Sequence, residues 1–89
     1  MSKLNYFTND NFRIVNYLYD HKNEAGIVSI TQQELANQLG LSRITINKLM
    51  NDMIERGYLL RIETTVGRYA LNKEMIDFVK GVRNSDNKK

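Results

Sequence analysis

Cysteine, proline and tryptophan are all absent from this 89-residue chain. Without cysteine there is no disulfide and no thiolate metal site, which fits a reducing interior and gives no sign of secretion. Without proline, nothing breaks a helix from within. Histidine occurs once, as His21 between Asp20 and Lys22. A lone histidine at a helix end is far more often a surface residue than a base or a ligand, and no cluster has metal-ligand spacing. No apolar run approaches the ~20 residues of a membrane span. The start, Met1 to Asn5, lacks the apolar core of a signal peptide. Gly-x-Gly-x-x-Gly and Walker loops are missing, and the acidic residues are scattered singly. These absences argue against an enzyme, a cofactor, a small-molecule site or a membrane span, and predict a cytoplasmic protein.

What is present suits one small domain. Hydrophobic residues make up 42% of the chain and charged ones 26%, an ordinary globular balance. A domain of this size buries roughly 60–65% of its unfolded surface. That leaves no room for a second domain and little for a deep enclosed site. Residues 1–83 are expected to form the domain, and polar residues 84–89 a disordered tail. The net charge is +3, and all of the excess falls in the last third, from Arg61 to Lys89, with seven basic and four acidic residues. A basic end suits a polyanion; a solvated surface with a charged tail is the plainer reading.

Local signals give an order of elements. Thr8 is placed to cap a first helix, with Phe7 and Phe12 as a hydrophobic staple and an apolar stripe of Phe12, Val15, Leu18 and Tyr19. That helix should stop near Asp20 to Lys22, and Asn23 to Gly26 form a connector. Ile27 to Ile30 read as one brief strand. Thr31 and Glu34 form a capping box for a short helix ending at Leu39. Gly40 ends it, Ser42 caps a third helix running to about Arg56, and Gly57 closes that one. The period then becomes two. Leu59 to Ile62 and Arg68 to Leu71, joined by the polar turn Glu63 to Gly67, read as a β-hairpin. Asn72 can cap a last helix with apolar Met75, Ile76, Phe78, Val79 and Val82. The expected fold class is α+β, mainly α with a small hairpin.

The stretch Gln32 to Leu49 carries the functional signal. Two helices crossing steeply over a three- or four-residue turn need particular residues. Leu35 and Leu39 face the core from the first. Ala36 must be small where the second crosses, Gly40 makes the turn and Leu41 plugs the corner. Ile46, Leu49, Met50 and Met53 anchor the second helix. Leu39-Gly40-Leu41-Ser42-Arg43, with Ile46 and Leu49 following, resembles the helix-turn-helix signature of bacterial transcription regulators. Met53 to Leu59 resembles the exit of a recognition helix into the first wing strand. The resemblance covers about Phe12 to Leu71. It implies a winged helix-turn-helix fold, and its subfamily could be that of resistance and catabolic regulators or of plasmid replication initiators.

That resemblance implies sequence-specific binding of double-stranded DNA, with the helix from Ser42 to Arg56 in the major groove. Ser42, Arg43, Ile44, Thr45, Asn47 and Lys48 then lie near DNA, with Asn51 at the edge. The hydroxyls of Ser42 and Thr45 suit phosphates, Arg43 suits guanine and Asn47 adenine. Ile44 has two readings: contact with a thymine methyl, or folding back onto the protein. Gln32 and Gln33 are candidates for the phosphate backbone. Arg61 and Arg68 flank the hairpin turn and are expected to share one phosphate-facing edge; solvation or pairing with Glu63 is the alternative. The terminal helices carry more apolar surface than one domain needs. Met75, Phe78, Val79 and Val82, with Tyr6, Phe7 and Tyr17, are therefore expected to seat a homodimer on a pseudo-palindromic site; alternatively they complete the monomer core. A repressor-like regulator leads. An accessory factor in replication, partition or transfer of a mobile element shares the same contacts. A protein-interaction module would be expected to lose the basic, hydroxyl-rich helix face.

Overall fold

Capping chemistry decides where the helices begin and end. The computed structural model describes residues 9–63 and 67–87. The chain runs α1 (Asn9–His21), β1 (Ile27–Ser29), α2 (Gln32–Leu39), α3 (Arg43–Glu55), β2 (Leu59–Glu63), β3 (Arg68–Leu71) and α4 (Lys73–Asn87). Thr31 opens α2 with the expected box. Its hydroxyl accepts the Glu34 N–H at 3.0 Å, and the Glu34 carboxylate accepts the Thr31 N–H at 3.1 Å. Gly40 ends α2 at φ +69°, and the Leu41 N–H returns to the Ala36 carbonyl at 3.1 Å. Ser42 then opens α3 by accepting the Thr45 N–H at 3.0 Å. At the far end of α3, the Tyr58 N–H reaches the Met53 carbonyl and the Gly57 N–H the Ile54 carbonyl, both at 3.0 Å. This is the Schellman pattern, and Gly57 supplies the left-handed residue it needs.

The core lies where α1, α2, α3 and α4 meet the sheet. Ile14, Leu18, Leu35, Ile46, Met50, Met53, Met75 and Val79 are all fully buried. Ala36 is buried too, as the close crossing of α2 and α3 requires. Leu39, Leu41 and Leu49 pack on this core from its margin. Ile14, outside the stripe expected for α1, is as deeply buried as any. The sheet has the order β1-β3-β2 and is antiparallel throughout. The brief strand β1 is thus the third member of the wing, pairing Val28 with Tyr69. Its registration is helped at both ends. Gly26 accepts the Leu71 N–H, and Gly67 accepts the Ile30 N–H, each at 2.9 Å.

Two expectations need correction. The tail from residue 84 does not begin there, because α4 continues to Asn87. No proline or glycine follows Val82 to stop the helix, and Arg83 holds that turn against α1. Nor are Met75 and Val79 free for a second copy. Both are fully buried in the protomer's own core, and Phe78 meets Phe12 edge to face at 6.2 Å. The expected Thr8 cap, the Phe7 staple position, Tyr6, the turn residues 64–66 and residues 88–89 lie outside the described residues.

Two arginines tie α1 to neighbouring helices. Arg13 of α1 donates to the Leu39 carbonyl at the end of α2, where carbonyls lack helical partners and a cation is favoured. Arg83 of α4 donates to Asn16 at 2.6 Å and to Asp20 at 2.8 Å, and its guanidinium lies over the Tyr19 ring at 4.6 Å.

Candidate nucleic-acid interface

Helix α3 has two faces of opposite character. Ile46, Met50 and Met53 are fully buried, and Leu49 and Ile54 pack at the margin. On the other side Arg43, Ile44, Asn47, Lys48 and Asn51 are exposed. Positions 43, 44, 47, 48 and 51 recur at helical spacing, so they share one face. Ile44 is 82% exposed, the most exposed large hydrophobic side chain described. At that exposure it does not fold back onto the protein. Ser42 and Thr45 at the helix start are joined to each other. The Ser42 hydroxyl donates to the Thr45 hydroxyl at 2.9 Å while accepting the Thr45 N–H. Arg43, Ile44 and Asn47 with Gln32 of α2 line an open cleft of about 290 Å³.

The amides on this face form a chain of hydrogen bonds. Asn47 Nδ2 donates to Gln32 Oε1 at 3.0 Å. Asn51 Nδ2 donates to Asn47 Oδ1 at 3.2 Å. Arg61 donates to Asn51 Oδ1 at 3.0 Å. Gln32 therefore belongs to the surface of α3. Gln33 turns instead along its own helix and donates to Asn37 at 3.0 Å.

The two wing arginines do not share an edge. Arg61 pairs across the sheet with Tyr69, and Arg68 precedes Tyr69 on β3. Cross-strand partners share a face and neighbours along a strand do not. Arg61 is thus on the α3 side, bonded to Asn51, while Arg68 is on the outer side, donating to the Ser29 hydroxyl at 3.3 Å. A bulge between Arg61 and Glu63 puts Glu63 opposite Arg68. Ser29 enters this surface through Arg68, 39 positions away in sequence, because β1 pairs with β3.

Charge pairing separates the arginines into two sets. Arg13, Arg56 and Arg83 lie within 3.5, 3.0 and 2.8 Å of Asp10, Asp52 and Asp20. Among the residues whose side chains are described, Arg43, Lys48, Arg61 and Arg68 have no carboxylate partner. Among the same residues Lys22 after α1 and Lys80 of α4 have none either; α3 and the wing are where four such cations lie on neighbouring elements. No group of three or more potential metal ligands occurs among the described residues.

Two helices at a short turn, with a three-stranded sheet packed behind them and an exposed polar second helix, define a winged helix-turn-helix. Residues 12–72 match the Crp-like helix-turn-helix domain, and the chain belongs to that family. Fold and family are those of DNA-binding transcription regulators. Among solved structures, the reduced Fe(II) CO-sensing protein of R. rubrum is similar over 78% of this chain and 36% of its own, at 27% identity and a TM-score of 0.66. The S. aureus MepR–DNA complex is similar over 88% of this chain and 63% of that one, at 21% identity and a TM-score of 0.72. HmgR of Pseudomonas aeruginosa is similar over 85% of this chain and 30% of its own, at 16% identity and a TM-score of 0.56. The chain thus spans less than two thirds of each of these proteins. No curated protein matches it.

Proposed function

We propose that the domain is a transcriptional regulator of the repressor type that reads double-stranded DNA with α3 in the major groove. One observation carries the reading: the exposed face of α3 holds Arg43, Ile44, Asn47 and Lys48 together, and neither cation has a carboxylate partner among the described residues. In this reading Arg43 takes guanine, Asn47 takes adenine and Ile44 rests on a thymine methyl. Lys48 and Arg68 meet phosphates, and the start of α3 at Ser42 and Thr45 offers a further phosphate site. Gln32 supports Asn47. Gln33 has its amide nitrogen engaged with Asn37 and contributes least. A regulator whose functional side chains converge on one face acts most simply by occupying its operator.

One such helix reads only a few base pairs, too few to stand out among the competing sites of a genome. We therefore propose a homodimer on an inverted repeat. Of the apolar residues expected to seat it, Tyr17, Phe78 and Val82 are half-buried, so such a contact would draw on these and not on Met75 or Val79.

The test is binding of the purified protein to a pool of random duplexes, followed by sequencing of the retained fraction. The comparison is an Arg43→Ala, Lys48→Ala double variant with its fold checked by circular dichroism. An enriched inverted repeat that the variant loses is the expected result. Absence of binding at moderate salt, with wild type and variant alike, rejects it.

A further inference from the structure

The hydrogen-bonded chain from the wing to α2 has a direction, and the direction has consequences for base reading. A guanidinium group can only donate hydrogen bonds, whereas a side-chain amide both donates and accepts. Arg61 therefore forces Asn51 to turn its oxygen toward β2, and the 3.0 Å bond is to that oxygen. The Asn51 nitrogen is then left facing along α3, where it donates to Asn47 Oδ1 at 3.2 Å. Asn47 in turn faces its nitrogen toward α2 and donates to Gln32 Oε1 at 3.0 Å. Three amides on two helices are thus polarised one way by a single cation on a strand.

At Asn47 each atom keeps capacity. The oxygen retains one lone pair and the nitrogen one N–H. Adenine presents an N6–H donor beside an N7 acceptor in the major groove, which is the complement of that remaining pair. An asparagine free to rotate by half a turn would offer its groups in either order. Asn47 is held in one order, and the relay excludes the other because a reversed amide would set nitrogen against nitrogen at Asn51. Water competes for these bonds in the free protein, since Arg61, Asn51 and Asn47 are exposed and Gln32 is only half-buried. Docking in a groove excludes that water and strengthens the chain.

We propose that Arg61 is a positioning residue for specificity: acting through Asn51, it orients Asn47 and so sets the adenine preference at the base pair beneath it. This rests on the major-groove reading of α3 given above. It also changes the expected role of Arg61 from phosphate contact to control of a base contact made by another residue.

The test compares wild type with Arg61→Met, Arg61→Lys and Asn51→Asp. Melting curves confirm the fold, and Arg61 is exposed, so none of these changes opens the core. Two readouts are taken. The first is the ¹⁵N side-chain amide spectrum of the free protein. The Asn47 resonances are expected to move in Arg61→Met, with those of Asn37, bonded to Gln33 at a distance, serving as an unmoved control. The second is the base preference of the retained duplex pool. One position is expected to fall from about tenfold preference for adenine to about twofold in Arg61→Met and Asn51→Asp. Arg61→Lys, which keeps a donor, should recover most of it. The preference at the position read by Arg43 should not change. A uniform loss of affinity in Arg61→Met, with base preference intact and the salt slope lower by about one, would make Arg61 an ordinary phosphate contact and overturn the proposal. Unmoved Asn47 resonances overturn it as well, whatever the DNA result. If wild type enriches no motif at all, the major-groove reading itself falls, and this proposal falls with it.

Discussion

Two glycines with similar backbone angles have different tasks. Gly40 and Gly67 have φ of +69° and +64°. A Cβ on Gly40 would meet nothing within 4 Å, whereas on Gly67 it would lie 2.5 Å from the Ile30 carbonyl oxygen. Gly40→Ala should therefore cost only the left-handed backbone, about 1–2 kcal/mol. Gly67→Ala should cost more, because a backbone carbonyl cannot step aside without breaking the Ile30–Gly67 bond that docks the wing. Urea denaturation of both variants checks this order; equal midpoints would refute it. Ile44 makes the opposite case. With 82% of it exposed, Ile44→Ala should leave stability within about 0.5 kcal/mol. It should nevertheless weaken binding to the selected duplex, measured by anisotropy, and weaken it less when the contacted thymine is replaced by uracil, which lacks the methyl.

At the scale of elements, the sequence is most legible where structure is local. The Thr31–Glu34 box, the Gly40 and Gly57 stops, the Ser42 cap and the Asn72 cap all involve residues within a turn of one another, so spacing alone exposes them. Bonds between distant elements left no such trace. Arg83 reaches Asn16 across 67 positions and Arg61 reaches Asn51 across ten. The i, i+4 spacing of Asn47 and Asn51 is visible in the sequence, but the direction of their bond depends on the arginine beyond it. Alternation gives the pleat of one strand, while the register between strands decides which residues share a face, and that register puts Arg61 and Arg68 on opposite faces. Asn72 shows local and distant roles together. Its oxygen caps α4 by accepting the Met75 N–H at 2.8 Å, and its nitrogen donates to the Gly57 carbonyl at 2.9 Å, past the end of α3. Asn72→Asp keeps the first and loses the second; Asn72→Ala loses both. Thermal or urea unfolding should rank them in that order, with the alanine costing about 1–2 kcal/mol. An aspartate as costly as the alanine would show that the tie to Gly57, and not the cap, carries the stability.

For the whole molecule, the division of its cations sets how binding responds to salt. A net charge of +3 says little by itself. What counts is that Arg13, Arg56 and Arg83 already face aspartates, so their charge is largely answered within the fold. Arg43, Lys48 and Arg68 are not answered in that way among the described side chains, while Arg61 is directed into the amide chain. Lys48 and Arg68, the two placed on phosphates, then release counterions from the duplex in each copy. The plot of log affinity against log salt should slope at about −2 for one copy and about −4 for two on an inverted repeat. Lys48→Ala should lower the magnitude by about one per copy and cost affinity evenly across sequences. Arg56→Ala, which removes a cation already paired with Asp52, should leave the slope unchanged. Sedimentation of the complex fixes the number of copies independently. A slope near −4 with two copies bound supports the dimeric operator reading, and a slope near −2 with one copy removes the dimer while keeping the interface. A slope equally sensitive to Arg56 and Lys48 would mean that binding follows overall charge, and that the face of α3 does not select where DNA sits.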